Sequence, residues 1–154
     1  LIHLRAGIAL SDAKYQLALL YSEGRGVLQD NAESARLIID LVQKGHIDSQ
    51  AQLGNMYRRG TGFELSKPNA YLWYNLAASN GNREASAMRD TIASQLSTVE
   101  LSEAQRQARV LEQTLRAGRD LGVFKPVLVG EAKNGSAPMA ITPAPGPVAA
   151  PVKP

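Results

Sequence analysis

Two stretches of this chain copy one another at a spacing of about 36 residues. Gln16 falls on Gln52, Leu17 on Leu53, Tyr21 on Tyr57, Gly24 on Gly60, Gly26 on Gly62 and Gly45 on Gly81. Similar residues fill in between: Ala18 with Gly54, Leu20 with Met56, Val27 with Phe63, Leu37 with Trp73. The register holds from the first match to the last without an insertion. A chain of 154 residues has room for one ordinary domain or a few units of an array, and the repeat selects the array.

Each unit reads as a pair of helices. In the first, Ser11 or Asp12 is placed to cap a helix whose apolar positions Ala13, Leu17, Leu20 and Tyr21 recur at three- and four-residue steps. Gly24 ends it. Asp30 opens a second helix, with Glu33 placed for a reciprocal cap, an inward face of Ala35, Ile38, Leu41 and Val42, and Gly45 as its stop. The second unit repeats the plan. Leu53, Met56 and Tyr57 lead to Gly60-Thr61-Gly62, then Ser66, Pro68 in a first turn that tolerates proline, and Ala70, Trp73, Tyr74, Ala77 and Ala78. A helix hairpin leaves one face bare, so the units must stack to close a core. Gly54 inside a helix costs about 1 kcal/mol against alanine, which predicts a close approach that offsets it. The expected architecture is an all-α, α/α solenoid.

The motif Leu17-x3-Tyr21-x2-Gly24-x-Gly26-Val27-x2-Asp30, followed by Gly45, resembles the Sel-like repeat (SLR) family, a relative of the tetratricopeptide repeats. So does Leu53-Gly54-x2-Tyr57-x2-Gly60-x-Gly62 with Ala70-x2-Trp73-Tyr74-x2-Ala77-Ala78-x2-Gly81. Ser66 stands where the family prefers Asp, Phe63 where it prefers Val, and Leu37 where the second unit has Trp73. The chain has no cysteine, which excludes the disulfide-bearing branch of the family as well as any thiolate metal site or thiol nucleophile. The resemblance implies a scaffold or adaptor of bacterial type.

Placed in this frame, residues 1–10 read as the remnant of a preceding repeat, 11–46 as the first repeat and 47–81 as the second. Residues 82–118 read as a partial third repeat plus a capping helix. Ala85, Met88 and Ile92 face inward on its first helix. Ser97 with Glu100 makes a capping box for a further helix carrying Leu101, Ala104, Ala108, Leu111 and Leu115, with Gly118 beyond its end. A polar outer face (Glu103, Arg106, Arg109, Glu112, Arg116) suits the end of an array. Seven of the eight prolines lie from Pro126 to Pro154, so residues 119–154 are expected to be a disordered tail or linker.

Chemistry is sparse. The two histidines, His3 and His46, lie far apart, and no serine–histidine or metal-ligand spacing occurs; catalytic residues, metals and cofactors are all expected to be absent. Glu23-Gly24-Arg25-Gly26 lacks the Gly-Lys-Ser/Thr element of a phosphate loop, and its copy at Gly60-Thr61-Gly62 marks a turn. His46, just after Gly45, is expected to be solvated or to cap a helix. The 17 basic residues are scattered among 14 acidic ones, for a net charge of +3; nucleic-acid binders cluster theirs, so no nucleic acid is expected. No apolar run approaches the length of a membrane span.

The remaining candidate is a stripe on the first helix of each unit, on the face turned from the core. First helices line the concave groove in tetratricopeptide-like solenoids. Tyr15 and Leu19 would be apolar anchors there, with Ser22, Asn55, Arg58 and Arg59 holding polar or acidic groups of a partner. The expected function is a non-enzymatic protein–protein interaction scaffold. The alternative is an envelope module associated with peptidoglycan or polysaccharide, for which exposed aromatic side chains on a rim would be the mark.

Overall fold

The computed structural model of the chain describes residues 2–26 and 29–129, with side chains from residue 6 onward. Six helices follow in order: α1 (Ile2–Glu23), α2 (Asn31–Gln43), α3 (Ile47–Arg59), α4 (Lys67–Ser79), α5 (Arg83–Ala93) and α6 (Thr98–Arg116), then a short 3-10 turn (Gly122–Phe124). Successive helices pack as α1 on α2, α2 on α3, α3 on α4 and α4 on α5, with α6 laid against α4. The fold is an all-α solenoid of stacked hairpins. His3, the Val27 that pairs with Phe63 in the repeat register, and the Pro-rich stretch from residue 130 onward lie outside the described residues and side chains.

The repeat in sequence is a repeat in hydrogen bonding. Gly24 and Arg25 donate to the Leu20 carbonyl, and one period later Gly60 and Thr61 donate to that of Met56. The Asp30 N–H then closes the turn on the Tyr21 carbonyl at 2.9 Å, as the Ser66 N–H does on Tyr57 at 3.0 Å. That bond explains one departure from expectation. Asp30 does cap α2, accepting from the Glu33 N–H at 3.0 Å, but Glu33 does not reach back. The N–H it would accept from is already taken, and its carboxylate meets Arg36 instead. At α6 the donor is free, and the Ser97–Glu100 capping box forms in both directions.

Helix α1 corrects a second expectation. It runs unbroken for 22 residues, so neither Ser11 nor Asp12 caps a helix start. The cause lies one step upstream. Gly45 and Gly81 end α2 and α4 with φ of +85° and +106°, and His46 and Asn82 immediately cap the next helix. The equivalent positions in the first unit are Ala9 and Leu10. Alanine resists the left-handed conformation, and leucine has no side-chain acceptor for an N-cap. The helix therefore continues through a point where the other units turn.

The core runs along the stack: Ile38, Leu41, Leu53, Leu72, Trp73, Tyr74, Ile92 and Leu111 are almost wholly buried. Burying a side chain of this size contributes about 1.5–3 kcal/mol. In the first unit the expected inward stripe is only half covered. Leu17 is 37% and Leu20 36% exposed, whereas their second-unit equivalents Leu53 and Met56 are at 0% and 2%. The second pair sits in α3, which α2 covers; nothing among the described residues plays that part for α1.

Residues 119–129 are not a disordered tail, contrary to expectation. Leu121, Phe124 and Leu128 are buried in the main core. The Gln43 side chain ties the segment down, its Nε2 donating to the Arg119 carbonyl and its Oε1 accepting from the Leu121 N–H, both at 3.3 Å. Leu128 then pairs antiparallel with Phe63, and the Val129 N–H donates to the Gly62 carbonyl at 2.9 Å. Three apolar residues within eight positions repay the ordering of the chain, which the proline-rich average of the whole stretch conceals.

Candidate partner-binding surface

The six stripe residues divide between α1 and α3, and the structure joins them in two separate sets. On α1, Tyr15 is half-buried and packs against the edge of the core, with its ring tilted against the His46 imidazole at a centroid distance of 5.3 Å. It therefore does not face wholly away from the core, as the helical wheel had it. Burial first, and then the charges of Asp48 and Glu84, push its phenol above the ordinary tyrosine range. Leu19 is half-buried. Ser22 turns its hydroxyl inward along the helix, donating to the Leu19 carbonyl at 3.1 Å.

On α3 the second set is organised by a residue from the next helix. The Tyr74 hydroxyl donates to Asn55 Oδ1 at 2.5 Å and accepts from Arg58 Nε at 3.0 Å. Asn55 Nδ2 in turn donates to Gln52 Oε1 at 3.2 Å. Tyr74 itself is 1% exposed, so its ring is a fixed post to which two surface side chains are tied. Sequence reasoning assigned Tyr74 to the core and Asn55 and Arg58 to the surface. Tyr74 is in the core, Asn55 and Arg58 are half-buried, and the hydroxyl ties them together. Arg58 keeps its guanidinium terminus for outside contacts, and Arg59, next along, is exposed.

The approach of Tyr74 to α3 depends on Gly54. A Cβ there would lie 2.6 Å from Tyr74 Cδ1 and 2.7 Å from Cε1. No real Cβ packs so closely, which is the close approach that a mid-helix glycine predicted.

His46 acts as the N-cap of α3. Its Nδ1 accepts from the Ser49 N–H at 3.2 Å, which places the ring proton on Nε2, 3.0 Å from Asp12 Oδ1. Asn82 caps α5 in the same way, accepting from the Ala85 N–H at 2.8 Å, with its Nδ2 a longer 3.5 Å from Asp48 Oδ1. Asp12, Asp48 and Glu84 thus hold one position of the repeat. The 36-residue register contained this acidic row, and composition alone hid it. Among the described residues no group of three or more histidines, aspartates or glutamates is arranged to hold a metal ion. No described helix is long and apolar enough to cross a membrane.

The Sel1 repeat family model matches residues 11–38 and 47–82. The chain carries two Sel1 repeats. The second match runs from the start of α3 to the residue that caps α5, so the family unit and the structural unit coincide. Among solved structures, the fold is similar to that of a protective antigen present in uropathogenic Escherichia coli strains displaying an SLR fold. The TM-score is 0.62 at 22% identity over 88% of this chain. This chain spans 27% of that protein's length, and the likeness is one of fold. Sel1 repeats are generally protein–protein interaction modules.

Proposed function

We propose that this chain is a non-enzymatic scaffold that holds a segment of a partner protein in a concave groove along its first helices, α1 and α3. The observation that carries the reading is the anchoring of Asn55 and Arg58 by the buried Tyr74 hydroxyl. Side chains already fixed in one geometry lose little rotamer entropy on binding, and that surplus appears as affinity. Tyr15 and Leu19 supply apolar contact, Ser22 lies one turn beyond, and Arg59 offers an unburied charge to an acidic group.

The aromatic inventory supports this reading over an envelope module that contacts peptidoglycan. Trp73, Tyr57, Tyr71, Tyr74, Phe63 and Phe124 are buried, and Tyr15 and Tyr21 are half-buried. A sugar-stacking rim needs such rings in the open.

The test is capture from native extract by the whole chain beside a Leu19→Glu/Arg59→Glu variant. Arg58 is left intact because it also supports Tyr74. A partner kept by the parent and lost by a variant with the parent's circular dichroism and melting midpoint supports the groove. Equal capture by both sinks it.

A further inference from the structure

Helices α3, α4 and α6 border a small cavity of about 300 Å3, open to solvent on one side, away from the α1–α3 stripe. Its wall includes Ile47 and Leu76 on the apolar side, and Gln50, Asn80, Glu112 and Arg116 on the polar side. Gln50 is the unusual member. It is 1% exposed, and its Oε1 accepts from Asn80 Nδ2 at 3.2 Å. Among the described residues nothing bonds its Nε2. The free end is thus the Nε2 donor; exchanging the ends of both amides would leave Oε1 free instead, an acceptor that a carboxylate does not meet. Such a group costs about 1–3 kcal/mol if nothing meets it.

Two further donors line the same cavity. Ile47 is the first residue of α3, and the first N–H groups of a helix have no partner within it and lie at its positive end. Arg116, in the last turn of α6, is exposed and makes no ion pair with a described residue, although Glu112 stands one turn before it on the same helix. A buried amide donor, a helix N-terminus and an unengaged guanidinium around one cavity fit a single carboxylate. The Glu112 carboxylate in the same wall offsets the Arg116 charge and disfavours more than one bound anion. An adjoining cavity of about 750 Å3 shares Gly45, Ile47 and Asn80 with the first, and is lined further by Ile8 and Leu10, both 56% exposed, and by the charged Lys14, Lys44 and Asp48.

We propose that the Gln50–Arg116 cavity is a carboxylate-binding site that receives one carboxylate of a partner polypeptide. The exposed Ile8 and Leu10 in the neighbouring cavity favour a chain terminus, whose last side chain lies beside its α-carboxylate, over an acidic side chain. This site is independent of the groove proposed above and stands or falls separately.

The experiment is a titration of the isotope-labelled whole chain, followed through the Gln50 side-chain NH2 and Ile47 backbone amide resonances. The probes are N-acetylleucine, its neutral amide N-acetylleucinamide, and butyrate as a bare carboxylate. N-acetylleucine should shift both resonances with a Kd on the order of 10 mM, and N-acetylleucinamide should not. Arg116→Gln, at an exposed position that leaves the core intact, should weaken binding about tenfold. Butyrate binding as tightly as N-acetylleucine would assign the site to acidic side chains. The proposal is overturned if neither carboxylate moves the Gln50 amide, if N-acetylleucinamide moves it equally, or if Arg116→Gln binds like the parent. A bridging water would then be the amide's partner.

Discussion

Gly54→Ala sets two effects of known size against one another. In a solvent-exposed helix, alanine is favoured over glycine by about 1 kcal/mol. Here the new methyl group would sit 2.6 Å from Tyr74 Cδ1, 2.7 Å from Cε1 and 3.0 Å from Cγ, at least 0.5 Å inside an ordinary carbon–carbon contact. The ring has no easy retreat. It is buried, and its hydroxyl is tied at 2.5 Å to Asn55 and at 3.0 Å to Arg58. Overpacking of this kind costs about 1–3 kcal/mol, and moving the ring forfeits hydroxyl bonds of about 1 kcal/mol each. After the helix gain is subtracted, the net destabilisation should be about 1–3 kcal/mol. Urea unfolding followed by circular dichroism would read it as a lowered midpoint. The same substitution in a Tyr74→Leu background separates the terms: with the ring gone, alanine should be neutral or stabilising, a coupling of about 2 kcal/mol. If Gly54→Ala raises the midpoint in the parent, the ring yields freely and the fixed post beneath Asn55 and Arg58 does not exist.

Phe124→Ala and Leu128→Ala should each cost about 2–4 kcal/mol by urea midpoint, as buried residues would, whereas a linker would tolerate both. His46→Asn should match the parent's thermal midpoint, because Asn82 performs the same capping task; His46→Ala should lose about 1 kcal/mol. Asp40 has its carboxyl held below the ordinary aspartate range, first by the hydrogen bond from Lys44 and then by the charges of Lys44 and Lys14. Its folded pKa lies below its unfolded one, so its stabilisation is present above the unfolded value of about 3.9 and is lost as pH falls through the folded value. Asp40→Asn should flatten the acid limb of the stability–pH curve and change neutral stability by only a few tenths of a kcal/mol, because the pair is half exposed.

Much of the fold was legible because the repeat states each local decision twice. Asp30 and Ser66, Gly24 and Gly60, Gly45 and Gly81 are paired signals, and Gly54 announced a contact before Tyr74 could be named as its cause. The continuity of α1 was legible too, through Ala9 and Leu10 at the positions of Gly45 and His46, but only once the register was carried one unit upstream. The exposure of Leu17 and Leu20 was not, since it depends on what stacks against α1 rather than on α1 itself. Residues 119–129 were hidden by averaging: they hold one proline, Pro126, but were read together with the proline-rich residues that follow, whereas burial is decided by Leu121, Phe124 and Leu128. Of the stripe, the placement of its residues on α1 and α3 was legible, but the tie from Tyr74 to Asn55 and Arg58 crosses 16 to 19 residues and leaves no periodic trace. Gln50 left none either, because a polar residue in a helix looks solvated until its neighbours are placed.

The segment that leaves α6 changes what kind of object the array is. In a stack where each unit touches only its neighbours, stability is a sum of local terms and the ends can peel away one unit at a time. Here residues 119–129 run back past the Gln43 side chain at the end of α2 and finish on Gly62 and Phe63 after α3. A segment that follows both repeats in sequence thereby clasps the two of them. Such a closure raises the mean sequence separation of contacts, which slows folding, and it links the loss of the cap to the loss of the units it spans. The array should melt as a single cooperative body, because the end of α2 and the loop after α3 are joined by a strap that does not belong to either repeat.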